Sequence, residues 1–326
     1  MCAMTHNGRT TAGIWFILAG MAAISINDML IKQLSGGYPL HQLVFTRSFI
    51  GMLLTLILLQ MEGGWALLKT KTPFLHALRA VMIVISNMTF FAAIAVLPLA
   101  ETTALFFVAP LFITLLSVPF LGEKVGPMRL SAVVVGFVGV LIMQRPWESL
   151  ADSEANRLIL LLPVLSALTY AANQVMTRKL GVTSKASALA IYIQVTFIFV
   201  SLTFYFVAGD GRYAEGASNG AVEFLLRAWQ WPAPEDWKFF IALGFISATV
   251  GYCLSQAYRL SDAATVAPFE YVGLPLAVFW GFVIFGEWPD LAVFAGIVLI
   301  MGAGLFVFFR ERALQRRITR PTNMRR

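Results

Sequence analysis

Eight residues of this 326-residue chain set reactive or hydrogen-bonding side chains among apolar neighbours: Asn27, Asp28, Arg47, Asn173, Gln174, Tyr252, Glu270 and Tyr271. The first two sit in GIWFILAGMAAISINDMLIKQL, an otherwise oily run. An ionisable group in hydrocarbon is costly unless it is paired or hydrated, so each one requires a partner, a proton or a ligand. Asp28 lies near the end of its run and Arg47 near the start of the next, roughly 9–10 Å below the same boundary if both runs are helical. They are expected to face each other, with Asn27 and His41 close by. Lys32, one helical turn from Asp28, is a competing partner. Such a pair serves either as a clamp between two helices or as a site that also meets substrate or a proton. Glu270 lies about 12 Å deep in its own run, where Asn173, Gln174 and Gln194 approach the same level and no basic residue does. A carboxyl there holds a proton while dry and releases it when water enters, which makes Glu270 the candidate for proton coupling. A cationic group on a substrate would serve it equally well, and a bond to a neighbouring carbonyl is the structural alternative.

Aromatic residues interleave with these positions: Phe106 and Phe107, Tyr252 and Tyr258, and Phe269 and Tyr271. Their rings suit stacking on a flat heterocycle, although aromatic residues in membrane helices also pack or face lipid. Pro110, Pro119, Pro268 and Pro275 each remove a backbone donor, so the spans that hold them are expected to bend and to line a path. Glu101, Glu123 and Glu287 fall at helix ends, and the last two read as end markers.

The elements that carry these side chains follow from composition. Hydrophobic residues make up 59% of the chain and charged residues 13%, with a mean hydropathy of +0.77. Soluble domains carry about 25% charged residues. Such a chain cannot clothe a water-facing surface, and apolar stretches of roughly 20 residues recur along it, the length of helix that crosses a ~30 Å hydrocarbon core. An all-α polytopic membrane protein follows. Gly, Pro and charge punctuation predicts ten transmembrane helices over 11–34, 40–60, 74–97, 100–121, 128–144, 158–180, 185–208, 236–258, 262–285 and 290–310. The first run is far longer than a signal-peptide core, so an uncleaved span is expected.

Charge orients the bundle. Arg9, Lys69, Lys71, Arg79, Lys124, Arg129, Arg178, Lys179, Lys185, Arg259 and the arginine-rich end fall on one side, against Lys32, Arg145, Arg157, Arg212, Arg227 and Lys238 on the other. The positive-inside rule then predicts both termini in the cytoplasm, in a cell inner membrane. The longest loop becomes external, and Ala221 to Trp231 reads as an interfacial helix with Trp229, Trp231 and Trp237 as belt residues. Residues 311–326 form a basic cytoplasmic tail suited to anionic lipid, which accounts for much of the net charge of +7 without nucleic acid.

The chain also repeats itself. Asn27-Asp28 and Lys32 are echoed by Asn173-Gln174 and Arg178, and a Pro-containing span running into Gly-Glu occurs twice, as ETTALFFVAPLFITLLSVPFLGEK and as DAATVAPFEYVGLPLAVFWGFVIFGEW. Each unit, 11–144 and 158–310, holds five spans, an odd number, so the second enters the membrane from the opposite side. Inverted repeats give related conformations open to each face, the basis of alternating access.

Ten spans in two inverted five-helix repeats, each with a Pro-containing span ending in Gly-Glu, resemble the drug/metabolite transporter superfamily in its EamA-type branch. The likeness covers essentially residues 11–310. SINDMLIK together with DAATVAPFEYVGLPLAVFWGFVIFGEWPD resembles the riboflavin and S-adenosylmethionine carriers of that branch. The resemblance implies a basket-like bundle with a central cavity, walled by the first, fourth, sixth and ninth spans, that moves metabolites without ATP. A heterocyclic metabolite taken up from outside is the favoured cargo, with amino-acid or drug export and a non-transporting scaffold as alternatives. No G-x-x-x-x-G-K-[ST], H-E-x-x-H or G-x-S-x-G stretch occurs, so neither a nucleotide-driven engine nor an enzyme, cofactor or metal site is expected. The expected partners are a small-molecule substrate and membrane lipid. Oligomeric state leaves no mark in the sequence.

Overall fold

The computed structural model describes residues 6–121, 126–144, 154–180, 184–214, 220–261, 266 and 269–318. Its helices are α1 (His6–Leu34), α2 (Leu40–Glu62), α3 (Pro73–Ile94), α4 (Leu99–Phe106), α5 (Ala109–Leu121), α6 (Pro127–Gln144), α7 (Glu154–Leu180), α8 (Ala186–Ala208), α9 (Gly220–Leu226), α10 (Trp237–Leu260), α11 (Gly273–Phe285) and α12 (Leu291–Ile318). Among the described residues, seven stretches are long and apolar enough to cross a membrane, and with the shorter apolar helices Leu130–Met143, Gly273–Phe285 and Leu291–Phe306 they make ten spans. Proline starts α3 at a position where no amide partner is needed. Gly286, at φ 67°, closes α11 in the left-handed conformation that glycine adopts without a steric cost.

The fourth span is broken. Phe107 and Val108 leave the helix between α4 and α5, two residues before Pro110. The ninth breaks at the matching place, where Tyr271 and Val272 form a turn before α11. The two breaks meet at the centre, with the Phe107 and Tyr271 rings 5.7 Å apart. Pro110 thus sits at a discontinuity as expected, while Pro119 stays inside α5, and Pro268 and Glu123 lie outside the described residues.

Helix contacts follow an inverted two-fold. α1 packs on α10 as α7 packs on α3, while α2 meets α8, α6 meets α12 and α4 meets α11. The ends show the inversion directly: Leu99 at the start of α4 donates its amide to Glu287 just past the end of α11, at 2.9 Å, so equivalent spans run in opposite directions. Close packing needs small residues where helices cross. A Cβ on Gly139 would stand 3.1 Å from the Gly296 carbonyl oxygen, at the α6–α12 crossing. Between α3 and α7, Ser86 and Ser166 each donate to the other's carbonyl, at 3.0 and 2.7 Å.

The two ends of the bundle are tied differently. At one, Lys32 Nζ donates to Glu287 at 2.6 Å and to the Leu97 carbonyl at 2.9 Å, binding α1 to the turn between α3 and α4 and to the residue just past α11. Glu287 is therefore more than an end marker, and Lys32 pairs with it instead of competing for Asp28. At the other end, the Glu62 carboxylate accepts from Ser187 Oγ at 2.7 Å and from the Tyr252 hydroxyl at 3.0 Å, joining α2, α8 and α10.

The loop after α8 caps the Lys32 end. Arg227 donates to the Gly36 carbonyl, Gln42 and Gln230 bond reciprocally, and the Tyr38 hydroxyl donates to Asp236. Its helix is shorter than expected. α9 stops at Leu226, residues 227–233 form no regular element, and a turn over 234–236 leads into α10. Trp229 turns inward against Phe45 and Tyr205, and only Trp231 is as exposed as a belt residue should be.

Candidate functional site

A cavity of about 190 Å³ lies between the two repeats, walled mostly by apolar side chains with a few convergent polar groups. Its wall is built from α1, α2, α3, α4, α7, α8, α10, Glu270 and α11, which is wider than the four spans expected. Asn27, Asp28, Arg47, Asn173, Gln174 and Glu270 all line it.

Helical periodicity sets which residues reach the wall. From α3 come Ile83, Ser86, Asn87, Phe90 and Phe91, and from α10 come Ser247, Val250, Gly251, Leu254 and Ser255, with identical spacing. From α1 come Ile24, Asn27 and Asp28, and from α7 their counterparts Tyr170, Asn173 and Gln174. Residues three and four apart share one helix face, so each helix presents the same stripe.

Asp28 and Arg47 are both buried, but they do not touch. Asn27 stands between them: its amide nitrogen donates to Asp28 at 3.0 Å, and its oxygen accepts from Arg47 at 3.1 Å. Arg47 also donates to Asn87 at 2.6 Å, and its guanidinium lies over the rings of Phe91 and Phe197 at 5.2 and 5.4 Å. The direct ion pair expected from matched depth is replaced by an amide relay, because Asn27 and Asn87 reach the guanidinium first. His41 is not part of this group. Its ring bonds the Leu225 carbonyl at 3.0 Å and lies beside Phe204 and Trp229.

Glu270 is held by hydroxyls. Tyr170 and Tyr258 both donate to the same carboxylate oxygen, Tyr170 at 3.3 Å, and Gln174 donates to the Tyr170 hydroxyl at 2.6 Å. The carboxyl is 2% exposed, and among the described residues no cation contacts it. Tyr170 escaped notice in the sequence, yet it stands four residues before Gln174 on one face of α7, a spacing that marks it as a neighbour.

Two expected residues lie off the wall. Tyr252 points to the Glu62 end, where it bonds Glu62, and Tyr271 packs between Phe107 and Gly304. Instead, the rings on the wall are Phe90, Phe91, Phe106, Phe107, Tyr170 and Phe197.

Arg79 is the largest departure from the sequence reading. Six residues into α3 it looked like a boundary charge, but it is 2% exposed and lines the cavity. Its Nε donates to Thr177 Oγ1 at 2.6 Å and its Nη1 to the Leu189 carbonyl at 3.2 Å. Arg47 Nε, Asn173 Oδ1 and Gln194 Oε1 are also buried and find no partner among the described residues. Buried polar groups are nearly always satisfied, so this wall is shaped for a polar guest. Among the described residues no group of His, Cys, Asp and Glu could hold a metal ion.

Comparison with known proteins fits this geometry. Residues 11–145 match the EamA-like transporter family. The chain is 29% identical to a protein of Rhizobium johnstonii named as a riboflavin transporter, over 93% of each chain. It is 26% identical to the S-adenosylmethionine uptake transporter of Rickettsia prowazekii, over 91% of this chain and 92% of that one. A crystal structure at 16% identity superposes with a TM-score of 0.67 over 94% of this chain and 99% of the other, a likeness of fold.

Proposed function

We propose that this EamA-like chain is a secondary transporter that takes up a small heterocyclic metabolite, of the riboflavin or S-adenosylmethionine kind, by alternating access. The observation that supports this most is the shared cavity: equivalent stripes of α1 and α7, and of α3 and α10, face one chamber that holds four charged side chains deep in the bundle. Inverted repeats around a central site, with broken helices beside it, are the architecture of carriers that rock between two states.

In this reading the bodies that rock are 11–144 and 158–310. The Lys32–Glu287 contact closes one end and the Glu62 contacts close the other, so each half-cycle breaks one set and keeps the other. The breaks at Phe107 and Tyr271 are the hinges, since backbone freed from helical bonding absorbs rotation at little cost. Heterocycle rings stack on Phe106, Phe107 and Phe197, while Asn27, Asn173 and Gln174 supply hydrogen bonds. Glu270 exchanges a proton when water reaches Tyr170 and Tyr258, coupling uptake to a proton gradient. The excess of Lys and Arg beyond the Glu62 end supports a cytoplasmic side there, with both termini, in an inner-membrane protein.

Purified protein is expected to gain thermal stability from riboflavin or S-adenosylmethionine, because a ligand that binds only the folded state stabilises it. Vesicles containing the protein should then accumulate that compound faster under an inward proton gradient. Stabilisation without any accumulation would reject the transport reading, and accumulation indifferent to the gradient would reject the role of Glu270.

A further inference from the structure

Among the described residues, four ionisable side chains line the cavity and none is in direct contact with an opposite charge, and the least well answered of them is Arg79. Arg47 donates through both terminal nitrogens to amide oxygens and lies against two aromatic faces, and Asp28 is one side chain away. Glu270 is satisfied by two phenols. Arg79 has only a hydroxyl and a backbone carbonyl. Among the described residues no carboxylate is in salt-bridge contact with it, and its second terminal nitrogen makes no hydrogen bond. A guanidinium presents five donors in a planar fork that matches carboxylate and phosphate oxygens. Burying such a fork with most of its charge unanswered is costly, and an anion that meets it offsets part of that cost.

We propose that Arg79 is an oxyanion subsite of the cavity, so that the cargo carries a carboxylate or a phosphate in addition to its ring system. This rests on the transporter reading and narrows it. Thr177 and Leu189 aim the fork: by taking Nε and Nη1 they leave Nη2 for the guest. Thr177 and Tyr170 stand seven residues apart on α7, so the residues that fix Arg79 and Glu270 are roughly 10 Å apart along one helix. A cargo with an anionic group at one end and a hydrogen-bonding or cationic group at the other spans that interval. Uncharged riboflavin leaves Arg79 unanswered, whereas the carboxylate of S-adenosylmethionine or the phosphate of flavin mononucleotide answers it.

The test uses matched pairs on the purified full-length protein: S-adenosylmethionine against its decarboxylated analogue, and flavin mononucleotide against riboflavin, read by binding affinity. The oxyanion-bearing member of at least one pair should bind about tenfold more tightly or better, and which pair does so tells carboxylate from phosphate. Arg79→Gln should shrink that ratio to near one by weakening the oxyanion-bearing member, and Arg79→Lys should keep part of it. A brace without a ligand role would lower both members equally in Arg79→Gln and leave the ratio intact, which overturns the proposal. Riboflavin binding with flavin mononucleotide and S-adenosylmethionine excluded would keep the heterocycle carrier and overturn the subsite. Binding of glutamate or glycerol phosphate but of no heterocycle would keep the subsite and defeat the heterocycle reading. No binding by any of these oxyanions overturns the subsite.

Discussion

The two repeats present the same stripes to the cavity and dress them differently. Asp28 in the first corresponds to Gln174 in the second, Asn87 to Gly251, and Phe106 to Glu270, while Arg47 and Arg79 face no basic counterpart across the two-fold. In the proposed carrier, backbone symmetry supplies two matching conformations. Side-chain asymmetry dresses the cavity unequally, since residues 11–144 bring three ionisable groups and residues 158–310 bring a single acid. On that proposal, duplication accounts for the motion and divergence for the chemistry.

Four substitutions and one double-mutant cycle break or sharpen that contrast. The largest effect is expected from Arg47→Ala in the charged repeat. Removing the guanidinium strands the Asn27 and Asn87 oxygens, bares two ring faces and takes a nearby positive charge away from buried Asp28, a loss of about 3 kcal/mol or more in unfolding stability. Asp28→Asn should be much milder in the same denaturation measurement, since Asn27 can still bond an amide. Glu270→Gln acts on the lone acid of the other repeat: it keeps both tyrosine contacts but cannot shed a proton. Gradient-driven uptake is expected to fall by about tenfold or more while ligand binding persists. Gly139→Ala probes the scaffold that both repeats share. Its methyl would meet the Gly296 carbonyl oxygen, so a loss of about 1–3 kcal/mol in thermal or chemical unfolding is expected. The smallest effect belongs to the Lys32–Glu287 contact, for which a double-mutant cycle should give roughly 1 kcal/mol of coupling, because the pair is only partly buried. Its greater consequence is kinetic, since either single variant should open that end more often.

Much of this was visible in the chain itself, and the exceptions share a cause. Ten spans are legible because hydrocarbon imposes a length on a helix, and the inversion is legible because five is odd. Asp28, Arg47 and Glu270 stand out as charges in oily runs. Arg79 does not, because six residues from a helix start is where boundary arginines normally sit; only the packing of α7 and α8 against α3 walls it in. Lys32 has one near acid in sequence and chooses another, brought to it from the opposite repeat. Tyr252 and Tyr271 have rings suited to stacking on a heterocycle, but rotation about the helix axis turns Tyr252 toward Glu62, and the helix break turns Tyr271 toward Phe107. The amide relay through Asn27 was equally hidden, since matched depth predicts that two charges are level and says nothing of which amide lies between them. Periodicity and burial are written locally, whereas partners across the bundle are decided by tertiary contact.

The rocking of two inverted halves around one cavity is tested most directly by counterflow. Liposomes holding the purified protein are loaded with an unlabelled ligand identified by thermal shift, and entry of the labelled compound is followed without any ion gradient. Alternating access predicts a transient overshoot, because an occupied carrier returns loaded and exchanges one molecule for another. Entry that is never stimulated by internal ligand, in protein that still binds it, would contradict the account.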